Sequence, residues 1–320
     1  MEYLPPWWAR NGHLQSVYPS VFRKVSADFY TRERLETPDQ DFIDLDWAKN
    51  KQSPLKRLVV LSHGLEGHSK RPYILGMAKI ALQNNWDVLA WNFRSCSGEP
   101  NRKLQSYHSG QTGDLQYVVK HAIAQGYEEV CLVGFSIGGN KTLLYLGRES
   151  EDVPKEVSGA VTFSVPCDLT SSSKQLALPQ NKIYMKNFLF SLKAKLKEKK
   201  LRFPQEVDLT GFRKLKTFYD FDQRYTAPLN GFASAEEYWY KSSSSRYIEQ
   251  INTPTLLISA LDDPFLTKQC FPHEAAKSNP CFELETPRFG GHVGFMGFNK
   301  EGLYWSEERA IEYLNRLSRF

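Results

Sequence analysis

Residues 25–47 hold two short alternating apolar–polar segments on either side of Thr37-Pro38-Asp39-Gln40, which predicts an antiparallel hairpin turning at the Pro-Asp pair. The pattern then changes. Residues 58–62 (LVVLS), 87–92 (DVLAWN), 130–135 (VCLVGF), 159–165 (GAVTFSV) and 255–260 (TLLISA) are near-continuous apolar runs, as strands covered on both faces require. Helical stretches separate most of them: 72–84 opens on a proline, 114–125 ends before Gly126, and 137–148 follows a strand directly. Such alternation predicts an α/β fold, a mostly parallel central sheet with helices on both faces.

The rhythm stops between residues 165 and 253. This stretch has amphipathic helical material at 181–202 and aromatic-rich loops at 218–225 and 238–240, but no strong buried-strand run. An insertion late in an α/β sheet is expected to lie over the strand ends, where ligands bind. The expected organisation is a core built from residues 1–166 and 251–320, interrupted by a mainly helical cap at 167–250. The competing explanation is an excursion that covers a sheet edge.

Composition narrows the class. Of 320 residues, 41% are hydrophobic and 24% charged, a globular balance that disfavours disorder and coiled coil. The net charge of +5 is too small over this length to demand a nucleic-acid partner. It is unevenly placed, however: residues 168–246 carry 15 Lys and Arg against 8 Asp and Glu. Five cysteines, Cys96, Cys131, Cys167, Cys270 and Cys281, show no C-x-x-C pairing and suit a reducing compartment better than a disulfide or zinc framework. Glu2, Pro5 and Pro6 interrupt any signal-peptide pattern, and no apolar run reaches the roughly 18 residues of a membrane span, so a cytoplasmic location is expected.

The chemistry centres on Gly134-Phe135-Ser136-Ile137-Gly138, between an apolar run and a helical stretch. In a nucleophile elbow a serine occupies a strained strand-to-helix turn, with small neighbours where backbone approaches backbone. Neither a dinucleotide nor a phosphate-loop pattern is matched. A serine hydroxyl needs a base and a carboxylate that orients it. Downstream, residues 255–260 run into Leu261-Asp262-Asp263-Pro264, which sets two carboxylates at a strand's end. Asp263 is the better placed, three residues beyond Ala260 and just before the chain turns; Asp262 is the alternative. His292, in Gly290-Gly291-His292-Val293-Gly294, sits in a loop lean enough to approach Ser136. His63-Gly64-Leu65-Glu66-Gly67 follows the first buried run, where an oxyanion-binding loop belongs, so the backbone N–H groups of Leu65 and Ile137 are the expected donors. His63 then shapes the loop, and His68, His108 and His121 are expected to be structural or exposed. No metal or cofactor is called for.

Several stretches in order resemble the YheT-like group of α/β-hydrolase-fold proteins, also called the AB hydrolase 4 family. They are Gly12-His13-Leu14-Gln15 with Tyr18-Pro19, PDQDFIDLDW at 38–47, HGLEG at 63–67, NFRSCSGEPN at 92–101 and SYHSG at 106–110. GFSIGGN at 134–140, YTAP at 225–228, Asp262 to Phe265 and GGHVGF at 290–295 complete the set. The resemblance implies a serine hydrolase with Ser136, Asp263 and His292 as its triad, acting on carboxylic esters. Some relatives also transfer medium-chain acyl groups to alcohols or act on phospholipids. Ser95 stands where many relatives have glycine, which puts the local loop shape in question.

The expected activity is therefore cleavage of short- to medium-chain acyl esters through an acyl-enzyme on Ser136. An acyltransferase and a catalytically silent acyl- or lipid-binding protein are the alternatives. The expected partner is a small ester with an apolar acyl chain, with no nucleic acid. Residues 191–202 (SLKAKLKEKKLR) offer either a peripheral contact with anionic lipid or a solvated cap helix. Arg94 and residues 97–101 either border the acyl pocket or form a satisfied loop network. Trp7, Trp8 and the cap aromatics either line the acyl site or pack internally.

Overall fold

The computed structural model describes residues 2–50, 55–297 and 301–318. Among the described residues eight strands are formed: β1 (Thr31–Glu36), β2 (Phe42–Ala48), β3 (Arg57–Ser62), β4 (Asp87–Trp91), β5 (Glu129–Phe135), β6 (Val157–Phe163), β7 (Thr255–Ile258) and β8 (Phe282–Glu285). They make one sheet in the order β1-β2-β4-β3-β5-β6-β7-β8, antiparallel at β1-β2-β4 and parallel from β4 onward. The hairpin turns at the predicted place: Glu36 pairs with Phe42, and the Thr37 amide donates to the Asp41 carbonyl at 3.0 Å.

The uninterrupted apolar runs have the expected cause. Leu58 and Val60 pack into a core on one face of the sheet with Val130 and Leu132, while Val59 and Leu61 pack into a second core on the other face with Cys131 and Val133. A strand with period-two side chains and a core on each face has no position left for a polar residue. Of the helices, α1 (Gly12–Phe22) precedes the sheet, followed by α2 (Pro72–Gln83), α3 (Gly113–Ala124) and α4 (Ile137–Arg148). Between β6 and β7 come α5 (Leu169–Leu176), α6 (Lys182–Arg202), α7 (Phe218–Phe221), a π-helical turn at Asp222–Thr226, α8 (Ala227–Leu229) and α9 (Ala235–Ser242). α10 (His273–Ser278) and α11 (Trp305–Leu317) follow. Apolar residues of α2 and α11 cover one face of the sheet and those of α3 and α4 the other. Among the described residues no strand interrupts the helical segment between β6 and β7.

The basic segment 191–202 turns several of its charges onto the molecule itself. The Lys193 ammonium donates to the Leu215 carbonyl at 2.7 Å, Lys195 to Glu66 at 2.9 Å, Lys199 to Asn101 Oδ1 at 2.6 Å and Arg202 to the Asn101 carbonyl at 2.6 Å. Lys199 is buried, and that burial brings its pKa down to about 8. Much of the helix's charge therefore binds the molecule's own loops. Lysine's long stem lets a charged helix turn inward wherever carbonyl and carboxylate acceptors are waiting.

Arg94 is held in a satisfied network. Its guanidinium bridges Asp114 (2.8 and 2.9 Å), Asp39 (2.6 Å) and Asp41 (3.1 Å). The next residue, Ser95, has φ +64°, which explains glycine as its alternative, and its hydroxyl donates to Asn101 Oδ1 at 2.6 Å and accepts from the Asn101 amide at 3.0 Å. A left-handed non-glycine residue costs about 1–2 kcal/mol and each hydrogen bond returns about 1 kcal/mol, so the terms nearly cancel. Ser95→Gly is thus expected to stay within about 1 kcal/mol of wild type in urea unfolding, whereas a loss beyond about 2 kcal/mol would mean the hydrogen bonds outweigh the strain.

Candidate active site

Ser136 lies between β5 and α4 with φ 53° and ψ −120°, a conformation serine adopts only where its surroundings enforce it. The enforcement is visible. A Cβ at Gly134 would come within 2.7 Å of the Gly138 carbonyl and of Gly139 Cα, and one at Gly138 would collide with the Ser62 and His63 carbonyls. The turn is pinned at both ends, by the Ser136 amide donating to the Phe163 carbonyl (2.8 Å) and the Asn140 amide to the Ser136 carbonyl (2.9 Å).

His292 meets the serine from the loop after β8. Its Nε2 stands 2.9 Å from Ser136 Oγ, and its Nδ1 stands 2.9 Å from Asp263 Oδ2 and 3.2 Å from Oδ1. A carboxylate can only accept, so Nδ1 carries the proton and Nε2 faces the serine hydroxyl as the acceptor. Asp263 follows β7 and its side chain is fully buried; its Oδ1 also accepts the Phe265 amide at 2.9 Å. The Phe265 ring packs on the imidazole, with centroids 4.2 Å apart.

The structure separates the two candidate acids. Asp262 Oδ1 accepts the Gly291 amide at 2.8 Å, so it braces the histidine's loop rather than its ring, and burial raises its carboxyl above the ordinary range. Helix α1 braces the same loop. Ser16 Oγ accepts the His292 amide at 2.7 Å, and Gln15 Oε1 accepts the Tyr3 hydroxyl at 2.7 Å and the Met296 amide at 3.3 Å. Sequence reasoning gave Gly12-His13-Leu14-Gln15 no role; its structural task is to hold the His292 loop.

The loop after β3 comes within van der Waals range of the serine: a Cβ at Gly64 would lie 3.3 Å from Ser136 Cβ. The Gly64 amide donates to the Tyr73 hydroxyl (3.0 Å) and the Glu66 amide to the Tyr107 hydroxyl (2.9 Å). The Leu65 amide between them has no acceptor among the described residues. Ile137 is the first residue of α4, where an N–H has no carbonyl one turn back. His63 is the loop-shaping residue expected: Nδ1 donates to the Gly64 carbonyl (2.8 Å), Nε2 accepts the Phe93 amide (3.0 Å), and burial lowers its pKa to about 3.

Two cavities meet at Ser136 and His292. One, of about 780 Å³ including its opening, runs between the sheet end and the β6–β7 helices. Its walls include Phe188, Phe218, Tyr238 and Trp239, aromatics of the helical segment between β6 and β7. The second, about 1320 Å³, is a groove bordered by α1, the start of α6 and Arg71. Trp7 and Trp8 line neither, and Trp7 is 81% exposed. Arg94 and residues 97–101 are also absent from both walls. His108, expected to be structural or exposed, lines the first cavity, where burial lowers its pKa to about 3. Asp222 lines it too, its carboxyl pushed up by burial to about 6, and no sequence pattern had singled it out. No cluster of three or more His, Cys, Asp or Glu suited to a metal occurs among the described residues, and no helix there is long and apolar enough to cross a membrane.

Comparison with known proteins agrees with this architecture. The chain matches the alpha/beta hydrolase fold family over residues 57–296. It is 34% identical to the Escherichia coli (strain K12) protein named "Putative esterase YheT", across 98% of this chain and 93% of that one. Phospholipase ABHD3 of Mus musculus is 29% identical across 98% of this chain and 76% of its own length. Among solved structures, the Pyrococcus furiosus esterase Pf2001 aligns with a TM-score of 0.62 at 20% identity, over 98% of this chain and 99% of that one, a likeness of fold. Since the family match runs from β3 through β8 and the likeness to YheT runs nearly end to end, the chain belongs to the α/β-hydrolase-fold family, within its YheT-like group.

Proposed function

We propose that the protein is a serine esterase that cleaves carboxylic esters of short to medium acyl chain through an acyl-enzyme on Ser136. The observation that carries this reading is the unbroken chain Asp263–His292–Ser136, with contacts of 2.9 Å at both links, at the junction of two cavities. The names of the relatives, an esterase and a phospholipase, point the same way.

In the proposed reaction Ser136 Oγ attacks the ester carbonyl carbon as His292 Nε2 takes its proton. The carbonyl oxygen becomes an oxyanion that accepts from the Leu65 and Ile137 amides, donors worth about 3 kcal/mol each in such sites. Asp263 keeps the proton on Nδ1 and stabilises the imidazolium. When the tetrahedral intermediate collapses, the carbon–oxygen bond to the alcohol breaks and the leaving oxygen takes the proton from Nε2. Water then gives a proton to Nε2, adds to the acyl carbon and releases the acid, and Ser136 recovers its proton.

The acyl chain is assigned to the aromatic-walled cavity and the departing alcohol to the groove beside Arg71. Residues 167–250 act in this reading as the cap, because α5, α6, α7 and α9 supply one wall of the acyl cavity while the core supplies Ser136, His292 and Leu65.

Rapid mixing with 4-nitrophenyl esters from acetate to palmitate tests the proposal. The expected result is a burst of nitrophenolate equal to the enzyme concentration, with kcat/KM highest at short to medium chains. No burst and no turnover at any length would remove the acyl-enzyme.

A further inference from the structure

The acyl cavity contains a charge with no counter-ion. Asp222 opens the π-helical turn Asp222–Thr226, and irregular helical turns of this kind recur at functional sites. Its Oδ1 accepts the Thr226 hydroxyl at 2.6 Å and its Oδ2 accepts the Trp239 indole N–H at 2.8 Å. No Lys, Arg or His pairs with it among the described residues. A carboxylate offers about four lone-pair directions, so two bonds leave acceptor capacity unused.

Several neighbouring polar groups are engaged elsewhere. Ser109 Oγ accepts the Tyr238 hydroxyl at 2.8 Å, Ser172 Oγ lies 3.1 Å from Cys270 Sγ, and His108 Nδ1 accepts the Gly110 amide at 3.2 Å. Around them the wall is apolar, with Leu169, Leu176, Phe188 and Phe218. A saturated chain filling such a cavity strips water from the carboxyl and returns nothing, which carries the penalty of an unsatisfied buried group.

We infer that Asp222 determines specificity by accepting a hydrogen bond from a hydroxyl or ammonium group on the acyl chain of the substrate. This deepens the esterase reading and rests on it for the identity of the cavity's occupant. The substrate class is then an ester whose acyl part is apolar near the carbonyl and bears a donor farther along. Burial raises the Asp222 pKa to about 6, so near neutral pH the group is mainly an acceptor.

The test compares methyl alkanoates with methyl ω-hydroxyalkanoates and methyl ω-ammonioalkanoates over a series of chain lengths. Turnover is measured on the wild-type enzyme, and binding is measured by calorimetry on Ser136→Ala protein, which needs no chemistry. At one or more lengths a donor-bearing ester is expected to exceed its alkyl counterpart by tenfold or more in kcat/KM and in affinity. Asp222→Asn, with folding checked by circular dichroism, is expected to reduce that ratio by tenfold or more, and the ammonium preference most. The hydroxyl and ammonium arms show which donor the site takes. A donor-bearing ester that is no better at any length, in turnover or in binding, overturns the inference, as does a ratio that Asp222→Asn leaves unchanged. If alkyl esters are turned over normally in that case, the esterase reading stands. A donor preference in binding with no turnover of any ester would retain the Asp222 site and remove the esterase.

Discussion

Replacing Ser136 with alanine is expected to lower kcat/KM for a 4-nitrophenyl ester by about 10⁴- to 10⁶-fold, the range seen when a nucleophile of this type is removed. A 10⁴-fold loss is about 5.5 kcal/mol of transition-state stabilisation, far more than any effect of packing at one hydroxyl. The fold should survive. Among the described residues the Ser136 hydroxyl hydrogen-bonds only to His292, and alanine bears the same cost as serine at φ 53°. Residual hydrolysis reflects the backbone donors and the cavity alone. A variant that keeps even a tenth of wild-type activity would place the nucleophile elsewhere.

The second large effect separates the adjacent acids. In Asp263→Asn the amide oxygen can still accept the Phe265 N–H, but its NH₂ group now donates toward His292 Nδ1. That reverses the tautomer: Nδ1 becomes the acceptor and Nε2 carries the proton facing Ser136, where it cannot serve as a base. A loss of about 10⁴ in kcat is expected. Asp262→Asn keeps an oxygen for the Gly291 amide and removes a carboxyl that burial already disfavours in its charged form, so a loss below about tenfold is expected. Steady-state kinetics on both variants decides the matter, and the reverse order of effects would make Asp262 the acid.

The parts legible in the sequence are those whose cause is local. Five apolar runs read as strands because a doubly covered strand excludes polar residues along its whole length, and Ser136 stood out because its glycine neighbours are needed where backbone passes close to backbone. Asp263 and His292 were found by position, each in a loop after a strand, and the structure joins them at 2.9 Å. Contacts between distant segments left no such trace. Helix α1 contains Pro19 and looks a poor helix, yet Ser16 and Gln15 support the His292 loop from about 280 residues away in sequence. Asp222 sits in an aromatic-rich loop and acquires meaning only once Trp239 folds against it. Lys195 and Lys199 read as solvent-facing because charge in a helix is usually outward, but the acceptors they reach, Glu66 and Asn101, lie in core loops. Alternating hydrophobicity cannot report where a long polar side chain ends.

The most direct test of the central claim is to treat the folded protein with a fluorophosphonate probe and locate the adduct by peptide mass spectrometry. A single phosphonylated peptide carrying the label on Ser136 is expected, and no labelling in Ser136→Ala or, at the same exposure, in His292→Ala. Labelling on another residue, equal labelling of Ser136→Ala, or an unlabelled protein that still hydrolyses esters would contradict it.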